Sequence, residues 1–174
     1  CCGIFCLLRV WPSGRFFQVR LLRWQTGMRA GVGGRLADKL RGIDCDAVIS
    51  PALGGIVVGQ EVGRSLGKRH IFAEKEAGGL VLRRGFQIGP GERFIVAEDV
   101  VTRGGRGQET IDIVRQHAGG GVGVGGIVDR SGGRHPNFRC PFLRPGALDV
   151  VTSPAEDIPF RWTGLPTRKP ASKL

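Results

Sequence analysis

The chain lacks long hydrophobic runs. Its apolar stretches, such as Ile56–Gly59 and Phe94–Ala97, span only a few residues, whereas a membrane-spanning helix needs about 20. The first residues, Cys1–Trp11, also lack the ordered basic start, apolar stretch and small-residue cleavage site of a secretory signal. The sequence therefore predicts no membrane segment and no secretory leader.

Cysteines are few, and their spacing suits neither metal binding nor a disulfide framework. The count of 5 is odd, no pair has the Cys-x-x-Cys spacing, and no Cys/His cluster has the spacing of a zinc site. We expect Cys45 and Cys140 to be buried or half-buried thiols. The pattern favours an intracellular, reduced protein, and we expect a cytoplasmic location.

Acidic residues are also few. The 15 aspartates and glutamates stand against 26 basic residues, which leaves a net charge of +11. Such a charge suits an anionic partner, either nucleic acid or a phosphorylated small molecule. The basic residues are spread along the chain, without a helix-turn-helix signature or an aromatic-rich RNA-binding surface, which disfavours nucleic acid. The 174 residues, of which 41% are hydrophobic and 24% charged, have the composition of one globular domain.

Short apolar segments alternate with stretches of helical length and periodicity. The pattern predicts strands at 47–49, 71–73, 94–97, 122–128 and 148–151, and helices at 28–41, 56–66 and 109–117. Residues 74–91 mix charge with glycine and predict a long loop or a hairpin. This alternation predicts an α/β fold with a central, mostly parallel sheet flanked by helices.

The most informative segment spans residues 94–107. An apolar strand leads into two adjacent carboxylates, Glu98 and Asp99, and a glycine-rich turn and a helix follow. In an open α/β sheet ligands bind at the carboxyl ends of the strands, and a helix N-terminus attracts anions. The turn adds a hydroxyl and two positive charges, from Thr102, Arg103 and Arg106. The segment is neither a Walker loop nor a Rossmann fingerprint, and an ordinary polar turn is the alternative interpretation.

Residues Glu98–Gly105 resemble the phosphoribosyl diphosphate (PRPP) motif of type I phosphoribosyltransferases. The chain as a whole is similar to the orotate phosphoribosyltransferase branch of that family, in order, from residue 13 to residue 174. Residues 50–56 resemble the diphosphate loop of that family, and residues 72–76 together with 82–86 resemble its mobile catalytic loop. Residues 128–133 resemble its orotate-contacting segment, and residues 166–172 resemble its carboxyl end. The resemblance implies a single domain over 1–174, with a small hood from the N- and C-terminal segments. The family's N-terminal helix is absent or diverged in residues 1–12.

The resemblance also implies a reaction. Ribose 5-phosphate would pass from PRPP to N1 of orotate, with Mg²⁺ as the cofactor, giving orotidine 5′-monophosphate and diphosphate for pyrimidine (UMP) biosynthesis. The protein would be a homodimer in which the mobile loop of one subunit reaches the site of the other. PRPP and orotate would be its ligands.

The same resemblance assigns roles to individual residues, and it assigns none to a metal ligand. PRPP would be bound by Leu53, Gly54, Gly55, Glu98, Asp99, Thr102, Arg103, Gly104, Gly105, Arg106 and Gly107. Catalysis would rest on Asp99, which offsets positive charge on the ribose, and on cations that neutralise the leaving diphosphate, namely Lys75, Arg83 and Arg84. Orotate would be bound by Thr102 and by Arg130, whose guanidinium suits a carboxylate.

Other interpretations stay open from the sequence. A purine phosphoribosyltransferase or another member would share the PRPP site, and a non-catalytic PRPP-binding regulator would suit the net charge. Arg130 favours orotate, because that base carries a carboxylate. Arg103 and Arg106 depart from the family pattern, which has small or hydroxyl residues there, and each proposed cation could be a solvated surface charge. We expect His70, His117 and His135 to be ordinary surface or loop histidines.

Overall fold

The computed structural model describes residues 4–7, 11–13, 26–131, 137–145 and 167–168. The chain divides into two compact units, one made of Cys1–Gln18 with Asp149–Leu174 and the other of Val19–Leu148. The described elements are, in chain order, β1 (Ile4–Leu7), β2 (Trp11–Ser13), α1 (Thr26–Leu40), β3 (Ala47–Pro51), α2 (Gly54–Leu66), β4 (Arg69–Glu76), β5 (Gly79–Leu82), β6 (Arg93–Val101), α3 (Gly105–Gln116), β7 (Gly120–Asp129), β8 (Phe142–Leu143) and β9 (Thr167–Arg168).

The smaller unit contains a sheet that joins the two ends of the chain. Strand β1 lies in the middle, antiparallel to β2 and parallel to β9. A small unit built from both terminal segments agrees with the predicted fold class. That residues 1–174 form one phosphoribosyltransferase domain stays a prediction.

The larger unit contains a six-stranded sheet in the order β5-β4-β3-β6-β7-β8. All neighbouring strands are parallel except β5, which runs antiparallel to β4 and forms a hairpin with it. The predicted α/β fold with a mostly parallel sheet is therefore confirmed. The hairpin is one of the two forms predicted within residues 74–91.

Both faces of this sheet are covered, which explains the apolar runs within its central strands, such as Phe94–Ala97 of β6. Side chains of β6 alternate between the faces. Phe94 and Val96 belong to a core cluster shared with α3, whereas Ile95 and Ala97 belong to a second cluster shared with α1 and α2. On this second face α1 packs closely on β7, since a Cβ added to Gly125 would lie 2.9 Å from Cδ1 of Leu40.

Two of the predicted element boundaries differ from those in the structure, and one predicted strand lies outside the described residues. Strand β6 runs on to Val101, because Val100 and Val101 continue to pair with Val128 and Asp129 of β7. The acid pair therefore lies inside the strand and not after it. Helix α3 begins at Gly105, four residues before the predicted start. The strand predicted at 148–151 lies outside the described residues.

The described helices are all too short or too polar to cross a membrane. The two cysteines of the described region are free thiols, with Cys45 buried and Cys140 partly buried. Burial raises the pKa of both thiols. The predicted burial of these side chains is confirmed.

Candidate active site

Two loops meet at the carboxyl edge of the central strands. Because β3 and β6 are parallel neighbours, the connection from β3 to α2 and the connection from β6 to α3 leave the sheet at the same edge. The first connection contains a cis peptide bond between Ala52 and Leu53. The second contains Gly104, whose φ of 72° is in the left-handed region that glycine adopts without strain.

Asp99 lies directly against the first residue of α2. A Cβ added to Gly54 would lie 2.2 Å from Oδ2 of Asp99 and 2.6 Å from its Cγ. Only glycine leaves room for the carboxylate at this distance. The predicted diphosphate loop and the predicted PRPP motif are therefore in contact in the folded chain.

Arg106 joins the same two loops from the other side. Its Nη1 donates a hydrogen bond to the carbonyl oxygen of Ala52 at 3.2 Å, across 54 positions of sequence. The Arg106 carbonyl in turn accepts a hydrogen bond from the hydroxyl of Thr110, at 2.8 Å. Arg106, which departs from the family pattern, thus donates to the carbonyl oxygen of the cis Ala52–Leu53 peptide.

The N-termini of α2 and α3 both lie at this edge, and no side chain of the residue before either helix caps it. The first N–H groups of a helix have no partner within the helix, and together with the helix dipole they attract anions. Leu53, which precedes α2, is 79% exposed. Around the start of α3, Gly104 and Gly107 are buried, whereas Thr102, Arg103, Gly105 and Arg106 are exposed.

The two carboxylates of the acid pair contact different helices. Asp99 is only partly buried beside α2, whereas Glu98 is 5% exposed and lies beneath α3. A Cβ added to Gly107 would lie 3.3 Å from Oε2 of Glu98 and 3.2 Å from the ring of Phe138. Adjacent residues in a strand point to opposite faces, which accounts for this separation.

Glu98 is electrostatically unusual. Its pKa is raised to about 7, chiefly by burial and then by the negative charge of Asp99, while Arg106 acts in the opposite direction and Glu109 adds a smaller rise. Its Oε2 is buried and accepts no hydrogen bond from any residue that the structure describes. Near neutral pH this carboxyl group is therefore divided between its acid and its ionised form, and it has an unused hydrogen-bonding position.

The segment after β7 presents a partly buried arginine, Arg130. Arg130 donates its backbone N–H to the carbonyl of Val101 at 2.7 Å. Within the described part of the chain, its Nε and the Oγ of Ser131 are buried without a hydrogen-bond partner. Burial lowers the pKa of Arg130. The preceding Asp129 accepts hydrogen bonds from the Ser131 N–H at 2.8 Å and from Arg144 at 2.6 Å.

Sequence reasoning gave no role to Ser131 or Arg144. Ser131 lies inside the segment that resembles the orotate-contacting region, so its position was available as a signal. Arg144 follows β8 and has no motif around it. Only the parallel pairing of β7 with β8 brings the region of Arg144 next to the end of β7.

The three cations predicted for catalysis lie on the β4–β5 hairpin or just after it. Arg84 donates two hydrogen bonds to Glu74, at 2.8 and 2.9 Å, and Arg83 donates one to Glu76 at 2.7 Å. The Arg84 guanidinium lowers the pKa of Glu74. Lys75 is exposed on β4. The ion pairs of Arg83 and Arg84 therefore lie within the hairpin region.

His70 is not the surface or loop histidine that was expected. It lies in β4, and its Nε2 is 3.1 Å from the Oγ of the fully buried Ser50. Gly59 of α2 covers this pair, since a Cβ there would lie 2.0 Å from Oγ and 2.3 Å from Nε2. Burial lowers the pKa of His70 to about 4. His117 is exposed, as expected, and His135 lies outside the described residues.

Comparison with known proteins gives first the class and then the family. No family model matches the chain. Its fold is similar to the solved structure of an orotate phosphoribosyltransferase from Aeropyrum pernix, with a TM-score of 0.70 and 20% identity, covering 84% of this chain and 86% of that one. It is also similar to the structure of an adenine phosphoribosyltransferase from Thermoanaerobacter pseudethanolicus, with a TM-score of 0.65 and 14% identity, covering 75% of this chain and 86% of that one. At such identities the likeness shows the fold alone, which is that of the type I phosphoribosyltransferases.

Curated relatives narrow the class. The chain is 46% identical over 138 residues to an orotate phosphoribosyltransferase of Thermoanaerobacter sp. (strain X514), covering 79% of this chain and 72% of that protein. It is 42% identical over 162 residues to the enzyme of that name from Pelotomaculum thermopropionicum, covering 92% and 84%. The chain therefore belongs to the orotate phosphoribosyltransferase family.

Proposed function

We propose that this protein transfers ribose 5-phosphate from PRPP to orotate, forming orotidine 5′-monophosphate and diphosphate. The observation that carries the proposal is the contact between Asp99 and Gly54, which puts a carboxylate beside the N-terminus of α2, at the sheet edge where α3 also begins. PRPP has phosphate groups at both ends of a ribose that becomes cationic when its bond to diphosphate breaks. Two anion sites with a carboxylate between them match that charge pattern.

Each part of the site then has a role in PRPP binding. The N–H groups of Leu53, Gly54 and Gly55 bind the diphosphate, and the start of α3, from Thr102 to Gly107, binds the 5′-phosphate. Asp99 and Glu98 accept hydrogen bonds from the ribose hydroxyls. The ionised Asp99 also offsets charge as the sugar becomes oxocarbenium-like, and an interaction that strengthens toward the transition state raises kcat.

Arg130 supplies the selectivity for orotate. Its guanidinium is half-buried, and its Nε lacks a partner among the described residues. A carboxylate would restore that missing hydrogen bond and neutralise the charge. Adenine and guanine carry no carboxylate, so they leave Arg130 unsatisfied. Thr102, exposed at the end of β6, is the second proposed contact with the base.

The residues present fit a magnesium ion that is held mainly by the substrate. No group of three or more His, Cys, Asp or Glu side chains is placed to hold a metal within the described part of the chain. Mg²⁺ commonly keeps several waters and binds substrate phosphates with few carboxylates. Gly54 and Gly55 would position the diphosphate that holds the ion, and Asp99 would accept hydrogen bonds from its waters. The ion would neutralise the leaving diphosphate.

The hairpin cations must leave their present partners to act on diphosphate. Arg83 and Arg84 form ion pairs with Glu76 and Glu74, all exposed or partly exposed. Ion pairs of this kind are weak in water and exchange readily. We propose that diphosphate replaces the glutamates when the hairpin closes, and that Lys75 joins the two arginines there.

The test is a loss of orotate absorbance on mixing the protein with PRPP, orotate and Mg²⁺. We expect turnover with orotate, none with adenine or guanine, and loss of turnover with EDTA that Mg²⁺ restores. Asp112→Asn, an exposed acid on α3, is the control for Asp99→Asn. Calorimetry with PRPP and Mg²⁺ separates binding from turnover. Turnover with adenine in place of orotate would refute the assignment, and binding without turnover would indicate a regulator.

We also propose that the protein is a cytoplasmic homodimer, on the strength of the family resemblance. Light scattering coupled to gel filtration tests the assembly state. A mass of one 18.7 kDa chain at the protein concentration of the activity assay would contradict it.

A further inference from the structure

Ala52, the residue just before the N–H groups that we assign to the diphosphate, is held from two directions. Its own N–H donates a hydrogen bond to the carbonyl oxygen of Ala73 in β4, at 2.7 Å. Its carbonyl oxygen accepts a hydrogen bond from Nη1 of Arg106 in α3, at 3.2 Å. The first bond ties this loop to the sheet, and the second ties it to the helix whose start we assign to the 5′-phosphate.

The Arg106 main chain and side chain lie toward different ends of PRPP. The N–H of Arg106 is among the first of α3, where helix N–H groups attract an anion. The guanidinium instead contacts Ala52, 54 positions earlier in the chain. The family pattern has a small or hydroxyl residue at this position. Such a side chain ends close to Cβ and is too short to make the same contact.

The position of the loop matters because it also sets the distance between the diphosphate and a carboxylate. A Cβ added to Gly54 would lie 2.2 Å from Oδ2 of Asp99. With the loop in such close contact with Asp99, any displacement of Ala52 moves the diphosphate-binding N–H groups relative to that carboxylate. A residue that holds the Ala52 carbonyl therefore acts on the spacing within the site.

We propose that Arg106 is a positioning residue for the diphosphate loop and that its guanidinium is not a ligand of the 5′-phosphate. By holding the Ala52 carbonyl, it fixes the start of the segment, residues 53–55, that donates N–H groups to the diphosphate. Donors that are already ordered bind an anion more tightly, because less conformational entropy is lost on binding. The proposal rests on the proposed function, in which this loop binds the diphosphate of PRPP.

The test measures the affinity for the two ends of PRPP separately, by calorimetry with diphosphate and with ribose 5-phosphate, each with Mg²⁺. In Arg106→Ser the contact with Ala52 is lost, and we expect the affinity for diphosphate to fall about tenfold. The affinity for ribose 5-phosphate should stay within about threefold, because serine keeps the main-chain N–H and adds a hydroxyl. Arg115→Ser, which removes an exposed arginine near the other end of α3, should leave both affinities unchanged.

Hydrogen exchange of the Ala52 N–H in the ligand-free protein separates positioning from direct contact with diphosphate. Without the bond to Arg106, Ala52 should leave its partner Ala73 more often, so we expect exchange about tenfold faster in Arg106→Ser. Faster exchange together with weaker diphosphate binding supports the proposal. Weaker diphosphate binding with unchanged exchange overturns it, because Arg106 would then bind the diphosphate itself.

Two further results also overturn the proposal. A loss of affinity for ribose 5-phosphate as large as that for diphosphate would make Arg106 a phosphate ligand or a general stabiliser of the fold. Unchanged affinity for both compounds would make it a surface cation. If Arg106→Ser does not fold, Arg106→Gln, whose side chain is also too short to reach Ala52, gives the same comparison.

Failure of this proposal and failure of the proposed function are distinguishable. An unmutated protein that binds PRPP but does not turn over orotate refutes the function, and the binding and exchange measurements need no turnover. An unmutated protein that turns over orotate, together with an Arg106→Ser variant that binds diphosphate normally, refutes only the role of Arg106.

Discussion

Acidification from pH 7 to pH 5 should change the stability of the ligand-free protein very little, because two buried side chains act in opposite directions. The pKa of Glu98 is raised to about 7, mainly by burial and then by Asp99. The pKa of His70 is lowered to about 4 by burial. Folding favours the neutral form of both groups, but acid neutralises the glutamate and charges the histidine.

The magnitudes follow from the displaced pKa values. The pKa of Glu98 is above its unfolded value of 4.5, so its contribution to stability is fully present below pH 4.5 and is lost as the pH rises through 7. Between pH 7 and pH 5 acidification recovers about 2 kcal/mol. The pKa of His70 is below its unfolded value of 6.5, so its contribution is present above pH 6.5 and is lost as the pH falls toward 4.

For His70 the loss between pH 7 and pH 5 is about 1–2 kcal/mol once partial exposure to water is allowed for. The two changes therefore cancel to within about 1 kcal/mol. Arginine partners lower the pKa values of the carboxyl groups of Asp46, Glu74 and Glu92. The contribution of these carboxylates to stability is therefore lost only at lower pH. They do not disturb the cancellation above pH 5.

Urea unfolding at pH 7 and pH 5, without PRPP or Mg²⁺, measures the effect. In Glu98→Gln only His70 changes its protonation in this pH range, so the free energy of unfolding should fall by about 1–2 kcal/mol on acidification. In His70→Asn only Glu98 does so, and asparagine keeps a polar group beside Ser50. The free energy of unfolding of this variant should rise by about 2 kcal/mol. The reasoning is refuted if both variants keep the pH dependence of the unmutated protein.

Three further predictions concern the site. Asp99→Asn should lower kcat about 100-fold while the melting temperature changes little. Steady-state kinetics and thermal unfolding test this prediction. A large fall in both kcat and melting temperature would indicate a structural carboxylate. Arg130→Ala should raise the KM for orotate about 30-fold or more, since an unpaired buried charge costs about 2–5 kcal/mol. Calorimetry should find the affinity for PRPP within a few-fold of that of the unmutated protein. Unchanged orotate kinetics would make Arg130 a surface cation. Gly54→Ala puts a methyl group 2.2 Å from Oδ2 of Asp99 and should weaken PRPP binding about tenfold. The control Gly31→Ala, whose added methyl group has nothing within 4 Å, should leave PRPP binding unchanged. Equal PRPP affinities of the two variants would contradict the contact.

The sequence alone was enough to predict the layered α/β architecture and to point to the edge of the sheet where we propose the site. Strands β3, β4, β6 and β7 each contain a short run rich in apolar residues. Such runs can be identified from local composition because both faces of the sheet are covered. The acid pair and the glycine-rich turn were also readable, since they are contiguous in the chain.

Contacts between distant residues were decided by the tertiary structure. The predicted strand stopped before Glu98, but pairing with β7 extends β6 to Val101, and the strand then directs Glu98 and Asp99 to different helices. No local pattern places Arg144 on Asp129, 15 positions away, or buries His70 beneath α2. These features depend on which elements pack together, and that packing sets the burial and the charge partners of each side chain.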